Sequence, residues 1–411
     1  MLINFFEFTF LIALALSSVS SKAIGFAWVL IVLAGMCKWI QCAKSPEPSA
    51  NTSIIKYWLL VTLVALVAKT IPMVYWSDPW EERHGELRMF LGALALYCLG
   101  DSKFVKHNTI AGIATALSIS CAIGLIWVSL YGRDNVSTHH IPWAGSMAMI
   151  SALLLALSLK TDFNLSYRSI WFLGGLIGLM AVLSSQSRGA YGIVVWWIVV
   201  GIHHCWTHKK DILIPVYRDR TTRKRKALVA ATILIGFILL CQSQIFKRTL
   251  ESLEQASNEI MISQKSAEKG ANSSVGARIY LWGQSCTAIQ ESPWIGYGHD
   301  GRKEKLAQWA EMAHSTTIKS LGHVHNEYLN QLLDHGFLGL FSQLSYIFGL
   351  MWLSWKLHKA HHAASALAVA GICFVHASSS LSNVNFAHNQ YTATMSVLIS
   401  ISLWISTLRP R

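Results

Sequence analysis

Four arginines in a strongly apolar chain are the residues best suited to chemistry. Arg188 lies in "SSQSRGA", Arg278 lies in "SVGARIYLW", and Arg83 and Arg88 bracket the start of an apolar segment. A guanidinium presents a planar fork of donors that matches phosphate oxygens two at a time. Gly189, directly after Arg188, lets other groups approach that fork closely. Several such groups facing one way at bilayer level predict a site for a lipid-linked pyrophosphate. An arginine at the end of a span also serves as a snorkelling anchor, and Arg278 reads equally as a solvated helix residue. For Arg188 the anchor reading is weaker, because positive charge outside runs against the usual topology bias.

The densest stretch is "HVHNEYLNQLLDHGFLG", His323 to Gly339. A helix starting near His323 would put His325, Leu329, Leu332 and Leu333 on one face, pointing His325 into packed protein. Three readings stand side by side. His325 is a hydrogen-bonded core residue, or half of a zinc pair with His323 that lacks a closely spaced third ligand, or a base able to take a proton from a sugar hydroxyl. Composition and spacing do not choose among them. Asn326 suits a helix cap.

Carboxylates are scarce in the apolar segments. Glu7, Glu86 and Asp101 sit within or at the ends of them, and no buried carboxylate pair is visible. That argues against an ion-coupled transporter, which needs intramembrane ionisable groups; Lys69 is the main candidate for one. No Asp-x-Asp pair lies outside to hold a divalent cation, so neither metal nor cofactor is expected.

These residues need a membrane scaffold. The 411 residues are 53% hydrophobic and 13% charged, with a mean hydropathy of +0.40. Soluble domains carry roughly 25% charged residues. Apolar runs of about 20 residues recur, long enough to cross a bilayer as helices. The expected fold is an all-α polytopic membrane protein of about 12 transmembrane helices. Spans are expected at 2–20, 23–42, 54–76, 86–100, 104–131, 142–159, 168–185, 190–206, 227–244, 336–355, 362–381 and 390–408. The first reads as a span rather than a cleaved signal peptide, having no basic region before it. Of the eight cysteines, only Cys286 falls in the large polar loop, so no disulfide framework is expected there.

The net charge of +13 does not indicate nucleic acid, because the basic residues occupy short loops. Lys209, Lys210, Arg218, Arg220, Arg223, Lys224, Arg225 and Lys226 crowd one of them. Lys103 with Lys106, Lys356 with Lys359, and Arg409 with Arg411 fall on the same side, which predicts that side to be cytoplasmic. Both termini are then inside. Three regions follow: membrane helices over 1–244, an external helical loop over 245–335, and membrane helices over 336–411. In the loop, 246–260 keeps helical spacing and 263–274 reads as a polar, mobile run. Ile279, Trp282, Cys286 and Ile289 share one face of a second helix ending near Pro293. "GYGHDG" (296–301) reads as a turn, with a third helix from His323. Trp282 and Trp294 suit the membrane interface.

"SRGA" at 187–190, "GAR" at 276–278, and His325-Asn326 followed by nine residues and Gly336-x-x-Gly339 together resemble the O-antigen ligases of the bacterial O-antigen ligase and polymerase superfamily. The resemblance extends to the whole plan: about a dozen spans, both ends inside, one large periplasmic loop before the tenth span. It implies a GT-C-like, inverting glycosyltransferase of the inner membrane, acting at its periplasmic face without metal or nucleotide sugar. Such an enzyme moves O-antigen from undecaprenyl diphosphate to the lipid A-core oligosaccharide. Carried over by residue, Arg188 and Arg278 match the arginines that hold the pyrophosphate, and His325 matches the base or acceptor-orienting histidine. Arg83 and Arg88 are candidates from position alone. Alternatives are an O-antigen polymerase, a protein O-oligosaccharyltransferase, and a transporter of the same lipid-linked glycan. The oligosaccharyltransferases are expected to carry an added C-terminal periplasmic domain, whereas this sequence closes at Arg411 soon after the last expected span.

Overall fold

The computed structural model describes residues 2–41, 52–99, 106–207, 244–266 and 270–408. Among them every regular element is a helix. The membrane part comprises α1 (Leu2–Ala15), α2 (Ser21–Gln41), α3 (Thr52–Trp76), α4 (His84–Leu99), α5 (His107–Tyr131), α6 (His140–Ser158), α7 (Leu165–Ser184) and α8 (Gly192–Thr207). Next come α9 (Gln244–Lys265), α10 (Ser274–Glu291) and α11 (Gly298–Met312), then α12 (Glu327–Lys359), α13 (Ala363–Ser379) and α14 (Asn389–Thr407). Seven described helices (α2, α3, α5 to α8 and α12) are long and apolar enough to cross a membrane, and α1 and α13 hold shorter apolar stretches. The chain is a multi-pass helical membrane protein. The expected span 227–244, nearly all of the basic loop 207–226, and Lys103, Arg409 and Arg411 lie outside the described residues.

The expected spans 86–100 and 390–408 correspond to α4 and α14, which hydropathy alone ranks below the others. Almost every residue of α14 is buried. Its Ser400, Ser402 and Ser406 return their hydroxyls to backbone carbonyls of the preceding turn. A serine satisfied in this way can occupy the middle of a bundle without a partner on another helix. Elsewhere small residues bring backbones together, as where Gly35 faces Ala95 and Gly174 faces Ser118. Helices surrounded by lipid tails gain little from hydrophobicity alone and associate through such close approach.

One end of the bundle gathers the turns that carry the candidate residues. The Ser187 hydroxyl donates to the His140 carbonyl (3.1 Å), Thr138 bonds Gln390 (2.6 Å), and the Glu327 amide donates to the Ser380 carbonyl (2.8 Å). The segments near 84, 139, 188, 325 and 388 therefore share one end. Lys106, Lys356 and Lys359 sit at the far ends of their helices.

The region between α9 and α12 has its own apolar core, built from Ala271, Ala277, Leu281, Ala288, Leu306, Trp309, Ala310, Ile318, Val324 and Leu333. Three sequence expectations are corrected there. The buried stripe of α10 is Ala277, Leu281, Ser285 and Ala288, while Cys286 is exposed. The run 263–274 is packed in its described part: Ser263 is buried, Gly270 lies against it, and Ser273 caps α10 by accepting from the Gly276 amide. "GYGHDG" is not merely a turn, because α11 begins inside it at Gly298. That helix is so charged that only Leu306, Trp309 and Ala310 reveal its inner face.

This outer unit meets the bundle at a joint in α12. Gly336 breaks the helix with φ +60°, and the freed Phe337 amide donates to the Pro293 carbonyl (2.8 Å). Across the gap the Tyr297 amide donates to the Leu333 carbonyl (2.9 Å). A Cβ at Gly336 would stand 2.3 Å from the Trp294 carbonyl carbon, so only glycine fits both the dihedral and the contact.

Candidate active site

Arg188 opens a short 3₁₀ turn between α7 and α8. Its Nε donates to the buried Ser252 hydroxyl on α9 (2.8 Å), and no other hydrogen bond engages its guanidinium among the described residues. The turn can lie flat because Gly189 sits directly on Ser382. Arg278 occupies the first turns of α10, half-buried. Among the described residues it makes no hydrogen bond and no ion pair. Burial and then the neighbouring charge of Arg188 push its pKa below the ordinary arginine value, and Glu259 supplies the only opposing pull. Part of the Glu259 carboxylate is already taken by the Val275 amide (2.8 Å). Two guanidiniums thus lie within electrostatic reach of each other with Glu259 as the opposing charge, an arrangement that an anion relieves.

His325 is not on the helix face expected for it. Asn326 is the N-cap of α12, its Oδ1 accepting from the Leu329 amide (3.1 Å), and the helix starts at Glu327. His325 precedes the cap with φ +54°, a left-handed conformation uncommon for a residue with a side chain. Its ring meets His323 edge-on at 4.3 Å, and its Nδ1 is buried without a partner. Burial, then the charges of His323 and Arg278, hold its pKa down at about 2. Burial likewise holds His323 at about 3. Both imidazoles are neutral at physiological pH. His323 Nδ1 accepts from the His325 amide (3.3 Å), and no described group of three His, Cys, Asp or Glu residues is arranged to hold a metal ion.

Arg83 and Arg88 do not join this cluster. Arg83 is buried with its guanidinium 3.2 Å over the Trp80 ring, and the charge that bears on it is that of Glu86. Arg88 bonds the Asn389 side chain (2.5 Å) and carbonyl (3.3 Å) at the start of α14. Arg88 thus ties α4 to α14, while Arg83 reaches Thr70 of α3 at 3.5 Å and keeps its Nε buried without a partner among the described residues.

Sequence reading missed two constellations. One is a polar joint beside Gly336, in which the Arg302 and Asp334 side chains are fully engaged. Buried Arg302 donates to Asp334 (2.5 Å), to the Gly322 carbonyl and to His299 (2.9 Å), while Asn330 completes Asp334 (2.8 Å). His335 bonds Asp78 (2.7 Å), which also receives the His299 amide (2.9 Å). The other corrects the absence of buried carboxylates: Glu86 and Glu327 are both fully buried and within charge reach of each other and of Lys69. Lys69 donates to Gln331 (2.8 Å), Gln331 to Glu327 (3.2 Å), and the Phe386 amide to Glu327 (3.1 Å). Glu327 lies in a helix already assigned, and its partners are remote in sequence, so no local signal marks the group.

Residues 173–344 match the family model described as O-Antigen ligase. An uncharacterised protein of Haemophilus influenzae is 25% identical over 253 residues, covering 60% of this chain and 59% of that protein. The general O-oligosaccharyltransferase of Acinetobacter baylyi is 27% identical over 332 residues, covering 75% of this chain and 55% of that enzyme. The match thus spans little more than half the length of either relative. Arg188, Arg278, His325 and Asn326 fall inside the family match, whereas Arg83 and Arg88 fall outside it. The part of this chain that is similar to the O-antigen ligase family, residues 173–344, is the part that holds Arg188, Arg278 and the buried, unpartnered Nδ1 of His325.

Proposed function

We propose that this protein is an inverting, metal-independent glycosyltransferase of the bacterial inner membrane. It transfers O-antigen from undecaprenyl diphosphate to the lipid A-core oligosaccharide at the periplasmic face. The observation that carries this reading is the pair Arg188 and Arg278, under-compensated in charge, with Arg278 within electrostatic reach of a neutral imidazole at His325 whose Nδ1 is unpartnered. The arginines hold the donor diphosphate. An acceptor hydroxyl attacks the anomeric carbon from the face opposite the diphosphate, forming the new C–O bond as the bond to the phosphate oxygen breaks. The hydroxyl proton passes to His325, and the charge gathering on the leaving diphosphate is offset by the two guanidiniums. Preorganised charge of this kind is worth about 10²–10³ in rate.

In this reading residues 1–244 and 336–411 form the membrane scaffold, and 245–335 form a periplasmic unit whose α10 brings Arg278 over the bilayer. Both termini are cytoplasmic. A reporter placed at exposed Asn272 should read as periplasmic, and a cytoplasmic signal there would reverse the assignment. The similarity to the Acinetobacter baylyi oligosaccharyltransferase supports a second reading, in which the accepting hydroxyl belongs to a protein side chain. Purified protein with lipid-linked glycan, offered rough lipopolysaccharide or an acceptor protein, separates the two. Transfer to the lipopolysaccharide, persisting in EDTA, is the expected result. Transfer to protein alone selects the second reading, and transfer to neither overturns both.

A further inference from the structure

Besides His335 Nδ1 in the joint, three imidazole nitrogens near this end of the bundle are buried without a partner among the described residues: His84 Nε2, His325 Nδ1 and His388 Nε2. They come from segments far apart in sequence. His84 begins α4, with its Nδ1 fixed on the Glu81 carbonyl at 2.6 Å. His388 is the residue before α14, and its ring lies nearly parallel to that of His139 at 6.4 Å. His139 in turn stacks on His140 at 4.4 Å. His388 is within charge reach of His139 and His84 on one side, and of His323 and His325 on the other. Arg278 reaches His139, His323 and His325. Ring contacts thus make one run of His388, His139 and His140 and a second of His323 and His325, the two within electrostatic reach of each other and of Arg278.

Buried polar atoms nearly always find partners, so a cluster of orphans marks a place where a ligand supplies them. The ligand's chemistry is constrained. Burial holds His388 at about 4 and His323 at about 3, so these groups are neutral and offer little to an anion beside two arginines. The cluster provides no described metal-holding group of three. Each neutral imidazole has one donor and one acceptor nitrogen. A hydroxyl also both donates and accepts, so a ring bearing several hydroxyls matches a row of neutral imidazoles.

We propose that His388 and His84 are binding residues for the hydroxyls of a sugar ring, held across from Arg188 and Arg278 in a cluster that includes His139 and His323. The proposal rests on the glycosyltransferase reading and names the part of the site that reads sugar rather than diphosphate. That sugar is the acceptor's, or the first residue of the donor glycan.

The test uses the full chain in lipid nanodiscs and three probes: oligosaccharide released from rough lipopolysaccharide by mild acid, bare undecaprenyl diphosphate, and the lipid-linked glycan. In His388→Ala, binding of one sugar-bearing probe should weaken about 10-fold, the worth of one good hydrogen bond. Binding of bare undecaprenyl diphosphate should stay unchanged. Weakening of the released oligosaccharide assigns the cluster to the acceptor; weakening of the lipid-linked glycan alone assigns it to the donor's first sugar. His388→Gln, whose amide reaches the position of Nε2, should recover most of the binding, and His388→Asn, whose amide stops short, should not. His84→Ala and His84→Gln should repeat the pattern. Unchanged affinity for all probes in the folded alanine variants overturns the proposal, as does equal weakening of the bare carrier lipid, and as does a wild-type protein that binds neither sugar probe. Loss of bare-carrier binding in Arg278→Ala alongside a silent His388→Ala would sink the imidazole cluster and leave the glycosyl-transfer reading standing.

Discussion

Arg302 and Arg278 belong to the same outer unit, yet their surroundings are opposite. Arg302 is buried and every direction of its guanidinium is met: by Asp334, by the Gly322 carbonyl, by His299. Arg278 is half-buried, feels the charge of a second arginine, and bonds to nothing among the described residues. The histidines repeat the contrast. His335 is held by Asp78 through Nε2, with its Nδ1 left unpartnered, whereas neither His325 nor His388 is held by a carboxylate among the described residues. A saturated polar cluster has spent its bonding capacity inside the protein and acts as a joint. One left unsatisfied retains that capacity for a ligand. Residue type is the same on both sides of the comparison, so only the partners separate structure from function.

The contrast is broken most forcefully at the joint. Asp334→Ala strands the Arg302 charge in a site where the two side chains are 5% and 3% exposed, and breaking such a pair costs about 3–5 kcal/mol. Thermal unfolding in detergent should fall well below wild type. Arg278→Ala should leave the unfolding temperature close to that of the parent, since it breaks no bond. Equal loss in both variants would erase the distinction.

A smaller effect is expected where the joint closes on glycine. Gly336→Ala imposes a side chain at φ +60° against the Trp294 and Ile295 backbone. Strain of this kind costs roughly 1–3 kcal/mol, and the clash adds to it. The variant should melt earlier and transfer more slowly. Unchanged melting would mean that the 293–297 segment yields easily and is no joint.

The subtlest test is the pH profile. A base must be neutral to accept a proton, so activity is lost as pH falls through its pKa. In the empty site His325 is held at about 2, chiefly by burial, so kcat/KM should show no acid limb near 6.5 and change less than about threefold from pH 7 to 5. The diphosphate, an anion beside the ring, raises that pKa in the complex, placing any acid limb in kcat above the one in kcat/KM. An acid limb in kcat/KM at an ordinary histidine value, removed by His325→Asn, would contradict this.

The sequence made Arg188, Arg278 and His325 visible through residue type and local context. It could not show that the first two come within electrostatic reach of each other, because that depends on tertiary packing of α10. Long apolar runs fixed the membrane class, and the 3.6-residue period located α9 and α10 as helices but not their buried faces, since Leu250, Leu253 and Cys286 are exposed. It failed for α11, where charge dominates, and for the start of α12, where the Asn326 cap rather than the leucine stripe sets the boundary. Gly336 breaks α12. The glycines that support the family resemblance serve packing: Gly336 receives the 293–297 segment, and Gly339 lies against the Gln331 carbonyl. Lys69, Glu86 and Glu327 were legible singly and unrecognisable as a group, since contacts between helices leave no periodic signal.

The central claim, that the unsatisfied cluster divides into a diphosphate grip and an acceptor-side base, is tested most directly by one paired measurement. Donor binding and single-turnover transfer are followed for Arg278→Ala, Arg278→Lys and His325→Ala, each first shown to fold. The arginine variants should weaken binding of the lipid-linked glycan and lose about 10²–10³ in transfer, with lysine a poor substitute because it keeps the charge and loses the fork. His325→Ala should bind the donor like the parent and lose about 10²–10⁴ in transfer. Normal donor affinity and turnover in Arg278→Ala, or full transfer by His325→Ala, would contradict the account.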